Sequence, residues 1–96
     1  MNIKELYQIY FGSKLVILGD MMELGNYSEE YHQMIVDRVN QLGLTAILVG
    51  DKFNGVKNKY NFEYVCGVDD VILPPEYSNI LIKGSHIMGL EKIVLK

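Results

Sequence analysis

Three short apolar runs recur along the chain: KLVILGD at 14–20, TAILVGD at 45–51 and NILIKGS at 79–85. Each closes with a glycine followed by a polar residue. Their apolarity is continuous rather than alternating, which marks strands buried on both faces, as in a parallel sheet covered by helices. The glycine allows the sharp turn by which the chain leaves each strand. Between the first two runs, Tyr27, Tyr31, Met34, Ile35, Val39 and Leu42 recur at helical spacing and predict one amphipathic helix over 26–43. Asn26 with Glu29 three residues on fits a capping box, Ser28 competes with it as N-cap, and Gly43 is a helix stop. Strand, helix, strand makes a βαβ unit, whose crossover is expected to be right-handed.

The remaining elements follow from shorter signals. Residues 3–11 (IKELYQIYF) predict a helix, 52–61 a polar loop with at most one helical turn, and 62–66 (FEYVC) a further strand. Within 67–78, Val71 to Leu73 allow a brief strand before Pro74 and Pro75 end anything regular. A last short helix is predicted over 88–95, with Leu90, Ile93 and Val94 facing inward. The expectation is one α/β domain over 1–96 with a mainly parallel sheet of about four to five strands.

Composition narrows the function classes. Of 96 residues, 49% are hydrophobic, enough for one core. The net charge is −3 and Arg38 is the sole arginine, so no basic stripe accompanies the seven tyrosines, against a nucleic-acid binder. Cys66 stands alone, which excludes an internal disulfide, fits a reducing cytoplasm and reads as a small core residue. No apolar run approaches the ~20 residues that span a bilayer, and the start is too polar for a secretory segment. A cytoplasmic protein with no membrane partner is expected.

In an open parallel sheet, ligands bind beyond the carboxyl ends of the strands. The polar closers Asp20 with Glu23, Asp51, and Lys83 with Ser85 and His86 are therefore expected on one edge. Each has a plainer role: Asp20 and Asp51 as turn caps, His32 as a boundary residue satisfied by a hydrogen bond, Lys83 as a snorkelling lysine, Ser85 as a cap of the last helix. No G-x-x-x-x-G-K-[ST] loop or G-x-G-x-x-G fingerprint is present, and no Cys or His spacing suggests zinc. These rules alone leave a small α/β domain with a polar edge and no catalytic or metal-ligating set.

Two longer stretches carry a resemblance. VILGDMMELGNYSEEYH (16–32) resembles the G-D-M-x-E-L-G…H segment that opens the C-terminal domain of Mur ligases, and ILIKGSHIMGLEKIV (80–94) resembles that family's later V-L-V-K-G-S-R-x-M-x-x-E-x-V segment. Within that family the two stretches resemble the UDP-N-acetylmuramoyl-tripeptide–D-alanyl-D-alanine ligase (MurF) type. The matching residues are Gly19, Asp20, Glu23, Leu24, Gly25 and His32, then Lys83, Gly84, Ser85, Met88 and Glu91. The resemblance implies a small Rossmann-like three-layer domain of a cytoplasmic ligase of peptidoglycan precursor synthesis. In that enzyme ATP activates a carboxylate as an acyl phosphate, which D-alanyl-D-alanine attacks. It further implies that ATP and magnesium are bound mainly by a central domain outside this stretch. The C-terminal domain then closes the active site and helps hold the dipeptide through Asp20, Glu23, His32, Lys83, Gly84, Ser85 and His86. His86 stands where the family has arginine, and 66–78 is shorter than its counterpart. A free-standing binding module without ligase activity is the alternative.

Overall fold

The apolar runs pair side by side. In the computed structural model, which describes residues 3–9, 12–85 and 89–95, β1 (Lys14–Gly19), β2 (Thr45–Val49), β3 (Glu63–Val65) and β4 (Asn79–Lys83) form one sheet in the order β3-β2-β1-β4. All pairings are parallel, and Ile17 of β1 sits between Ile47 of β2 and Ile82 of β4. This is the small Rossmann-like α/β domain anticipated above.

Side-chain alternation along β1 and β2 feeds two cores, which is why their middles are continuously apolar; β4, expected to be covered on both faces, is an edge strand that is only half-buried, with Ile80 exposed. Val16, Leu18, Ala46 and Leu48 face Ile35, Val36 and Val39 of α2 (Ser28–Gln41), Ile3 of α1 (Ile3–Ile9), Phe53 and Val56. Leu15, Ile17, Ile47 and Val49 face Val68, Val71, Leu90 and Ile93, the last in α3 (Glu91–Leu95).

Helix α2 stops as expected. Gly43 has φ +67, its N–H donates to Asn40 O, and the N–H of Leu44 donates to Val39 O, the two bonds of a Schellman ending. Its start differs. The chain enters from a 3-10 turn (Gly25–Tyr27), and Tyr27 has helical φ −89 and ψ −2 with no side-chain cap, so neither the Asn26–Glu29 box nor a Ser28 cap forms. A side-chain cap needs an extended N-cap residue, which the helical Tyr27 does not supply. The buried stripe is also narrower than predicted. It runs through His32, Ile35, Val36 and Val39, while Tyr27 and Met34 are 72% and 56% exposed.

The predicted loop after β2 is a 3-10 turn (Asp51–Phe53) and further turns that bury Phe53 and Val56. Asp37 of α2 anchors it, accepting from Lys59 Nζ at 2.8 Å, Tyr60 OH at 2.6 Å and Gln33 Nε2 at 3.2 Å. The Lys59 and Tyr60 contacts hold the Asp37 carboxyl below its ordinary range and push both partners up. Residues 71–73 form no strand; a 3-10 turn (Val68–Asp70) precedes them, and Val71 alone plugs the core while Ile72 is exposed. Cys66, expected inside, is exposed, because β3 is shorter than predicted and ends at Val65. Helix α3 begins at Glu91, not 88; Leu90 and Ile93 are buried as predicted. Tyr10, Phe11, His86, Met88 and the Val94 side chain lie outside the described residues.

Leu48 is fully buried at the centre of the α2-side core. Leu48→Ala is expected to destabilise the domain by about 3 kcal/mol, seen as a lower urea midpoint at unchanged slope.

Candidate functional site

The chain leaves β1 toward β2 on one side, whereas β4 pairs on the other side of β1. The crevice at the carboxyl ends of β1 and β4 is therefore the topological switch point of the sheet. Both motif stretches arrive there. A Cβ on Gly84 would lie 3.1 Å from Gly19 Cα and collide with Leu90, and one on Gly19 would lie 2.9 Å from Leu90 Cδ2. The two glycines are thus required by the close passage of one strand end over the other, roofed by Leu90.

Beyond the strands, Ser85 joins the two loops. Its N–H donates to Asp20 O at 3.1 Å, its Oγ accepts from Met22 N–H at 2.7 Å, and its hydroxyl lies 3.4 Å from Met21 Sδ. Ser85 does not cap α3, which begins at Glu91.

Asp20 joins the rim to β2. Its N–H donates to Val49 O at 3.1 Å, and its Oδ1 accepts from Lys52 N–H at 2.9 Å. Gly50, at φ +112, makes room for the carboxyl, which a Cβ there would overlap. The turn-cap role foreseen for Asp20 is the contact the structure shows. The side chain is 4% exposed, and this burial pushes its carboxyl above the ordinary range; the Lys52 amide opposes the shift, and Asp51 adds to it.

His32 lies deeper than the boundary position expected of it. The ring is wholly buried, with Nδ1 2.6 Å from Ser28 O and Nε2 accepting from Met21 N–H at 3.1 Å. Phe53 and Tyr31 meet it edge to face, at 4.7 and 5.3 Å between centroids.

Asp20, His32 and Ser85 are thus brought together, each bonded to main chain of the protein itself. Glu23 points the other way in function: it is exposed, and at φ +64 it is the one non-glycine residue with positive φ among those described. Such a conformation costs a long side chain of order 1 kcal/mol and is held by its surroundings. Lys83 ends β4 half-buried and lines a groove of about 800 Å³ with Ile3, Glu30, Tyr31 and Met34. Ser85 and Gly84 line a separate cavity of about 270 Å³ with Ile82, Leu90 and Glu91. Asp51 is exposed at the start of its 3-10 turn. His86 lies outside the described residues. Leu90 and Gly50 are site-building residues the sequence reading passed over; the glycine closing the second run was the available signal for Gly50.

Among the described residues no group of three His, Cys, Asp or Glu side chains is placed to hold a metal, and no helix is long and apolar enough to cross a membrane.

No family profile matches the chain. Two curated proteins do. A UDP-N-acetylmuramoyl-tripeptide–D-alanyl-D-alanine ligase of Buchnera aphidicola is 35% identical over 92 residues, 86% of this chain and 20% of the relative. The ligase of the same description from Rickettsia prowazekii is 33% identical over 102 aligned positions, 96% of this chain and 23% of the relative. The chain therefore spans about a fifth of the length of the curated relatives it matches.

Two variants test this geometry. Gly84→Ala is expected to cost about 1–3 kcal/mol through the forced shift against Gly19 and Leu90. Asp20→Asn keeps an acceptor for Lys52 N–H and removes a charge that burial disfavours. Because the folded pKa is raised, the acid form of Asp20 stabilises the fold fully at low pH, and this contribution fades as pH rises through that pKa. The melting temperature of Asp20→Asn relative to the parent is therefore expected to be higher at pH 7 than at pH 4; an equal or opposite difference contradicts the assignment.

Proposed function

We propose that this chain, which is similar to Mur ligases of MurF type over about a fifth of their length, serves as their C-terminal, active-site-closing domain. In this reading it works with a central domain that binds ATP and magnesium, and its rim receives D-alanyl-D-alanine for addition to a UDP-N-acetylmuramoyl-tripeptide. The observation that supports it is the join of the two motif stretches at the switch point, Ser85 to Asp20 and Met22.

The dipeptide is a zwitterion, and the rim offers one group for each end. The exposed Glu23 carboxylate suits its ammonium, and Lys83 suits its carboxylate. Asp20, His32 and Ser85 are committed to main-chain partners, so their part is to shape the rim. Closure of such a domain orients the amine against the acyl phosphate and excludes water, which would otherwise hydrolyse the intermediate. The residues described here do not build a site for ATP or magnesium, so no step of the activation is assigned to them.

Titration of the ¹⁵N-labelled chain with D-alanyl-D-alanine, alone and with a fragment comprising the first two domains of a MurF ligase plus ATP, magnesium and the UDP-tripeptide, tests the proposal. Shifts at 19–25 and 83–85 with restored amide-bond formation are expected. Silence in both settings marks the chain as a non-catalytic module. In the restored reaction, Lys83→Ala should lower kcat/KM for the dipeptide at least about tenfold while changing stability by under about 1 kcal/mol. Glu23→Gly should preserve or raise stability, because glycine accepts the positive φ, yet lower dipeptide use. Full turnover in both variants rejects these two contacts.

A further inference from the structure

We propose that His32 is the positioning residue of the rim: a neutral imidazole protonated on Nδ1, which locks the loop after β1 in the conformation that presents Glu23 and so acts on a ligand it never touches. Only the ligand-directed part of this statement rests on the ligase reading above.

Three polar groups surround the ring; the Ser28 hydroxyl, 3.5 Å from Nδ1, can donate or accept, so the two main-chain partners decide its chemistry. Nδ1 is 2.6 Å from Ser28 O, and a carbonyl oxygen only accepts, so Nδ1 carries the proton. Nε2 is 3.1 Å from Met21 N, and an amide only donates, so Nε2 is bare. One uncharged tautomer satisfies both, and the imidazolium does not, because its Nε2–H would face the Met21 N–H.

The same two bonds tie separate elements together. Ser28 O belongs to the first turn of α2, a helix fixed to the sheet by Ile35, Val36 and Val39. Met21 is the first residue of the rim loop beyond Asp20. Phe53 and Tyr31 hold the ring edge-on, and with no exposed surface it has no route to a ligand. Met22 N–H is then taken by Ser85, and Leu24 O is taken by Tyr27 N–H. Glu23 lies between these two anchored points, at φ +64. Burial alone demands a partner for each nitrogen; what joins the loop to the helix is that these partners are main chain of two separate elements. This arrangement refers the backbone of a strained, exposed residue to a rigid helix.

The test has an arm that needs no ligand and no ligation. Two-bond ¹H–¹⁵N correlation on the intact chain near neutral pH should show His32 protonated on Nδ1 with Nε2 unprotonated. The opposite tautomer, or an imidazolium, overturns the proposal whatever the variants do. His32→Phe keeps the ring packing and removes both nitrogens. Amide exchange at Met21 and Met22 should then quicken at least about tenfold, while Leu18 and Leu48 remain protected. His32→Gln, which offers Met21 an acceptor, should recover part of that protection. Unchanged exchange at Met21 in a folded His32→Phe overturns the proposal; if that variant does not fold, the tautomer and the Gln variant decide. In the restored ligation, His32→Phe should raise KM for D-alanyl-D-alanine and leave KM for ATP unchanged. A parent chain without ligation defeats the ligase reading and leaves the tautomer and exchange results to judge His32.

Discussion

The domain depends on two stretches of backbone passing closer than side chains allow. At the ends of β1 and β4, Gly19 and Gly84 come near enough that a methyl group on either would meet Leu90, and one on Gly84 would crowd the opposing main chain as well. That approach extends the pairing of the two strands by one more bond, from Ser85 N–H to Asp20 O. From there the contacts spread outward, through the Ser85 hydroxyl to Met22 and through Asp20 to Val49 and Lys52. Separating the glycines would undo the ladder before it affected any single side chain.

Polar residues at such a place are easily taken for ligand contacts, and most of them here face inward. A buried carboxyl such as Asp20 is tolerated because the Lys52 amide bonded to it offsets part of the cost of leaving water. Internal polar bonds of this kind stabilise modestly and specify strongly, since each demands one geometry. The rim is thus of two kinds: buried polar groups hold its shape, and the charges of Glu23 and Lys83 stay exposed or half-exposed. The groove beside Lys83 and the cavity beside Ser85 lie apart, so the second motif contributes to both faces of the sheet.

Much of the fold was legible because its signals are local. The continuous apolar runs of β1 and β2 announced strands covered on both sides, and Gly43 announced the end of α2; the same pattern in β4 belongs to an edge strand that is only half covered. What stayed hidden was set by tertiary packing. Tyr27 and Met34 fit a helical period, but the angle at which α2 meets the sheet selects Val36 and His32 instead. Cys66 followed an apolar residue and still emerged at the surface, because strand length depends on the neighbouring strand available to pair. At the site, the chain pattern indicated which residues would gather at the carboxyl edge. It carried no information on which nitrogen or oxygen of each would already be occupied, since those partners come from 11, 32 or 63 residues away.

An all-parallel sheet contains no hairpin, so no two of its strands can zip together from a tight turn. Every pairing waits on a crossover, and the pairing of β1 with β4, Lys14 opposite Asn79, encloses most of the chain. Loop closure on that scale is entropically slow compared with forming the β1-α2-β2 unit. During synthesis β1, α2 and β2 can therefore assemble while the far edge of β1 is still bare, and the rim is completed only when residues 79–85 have emerged and docked. The place where the two motif stretches meet is also the last to come into being.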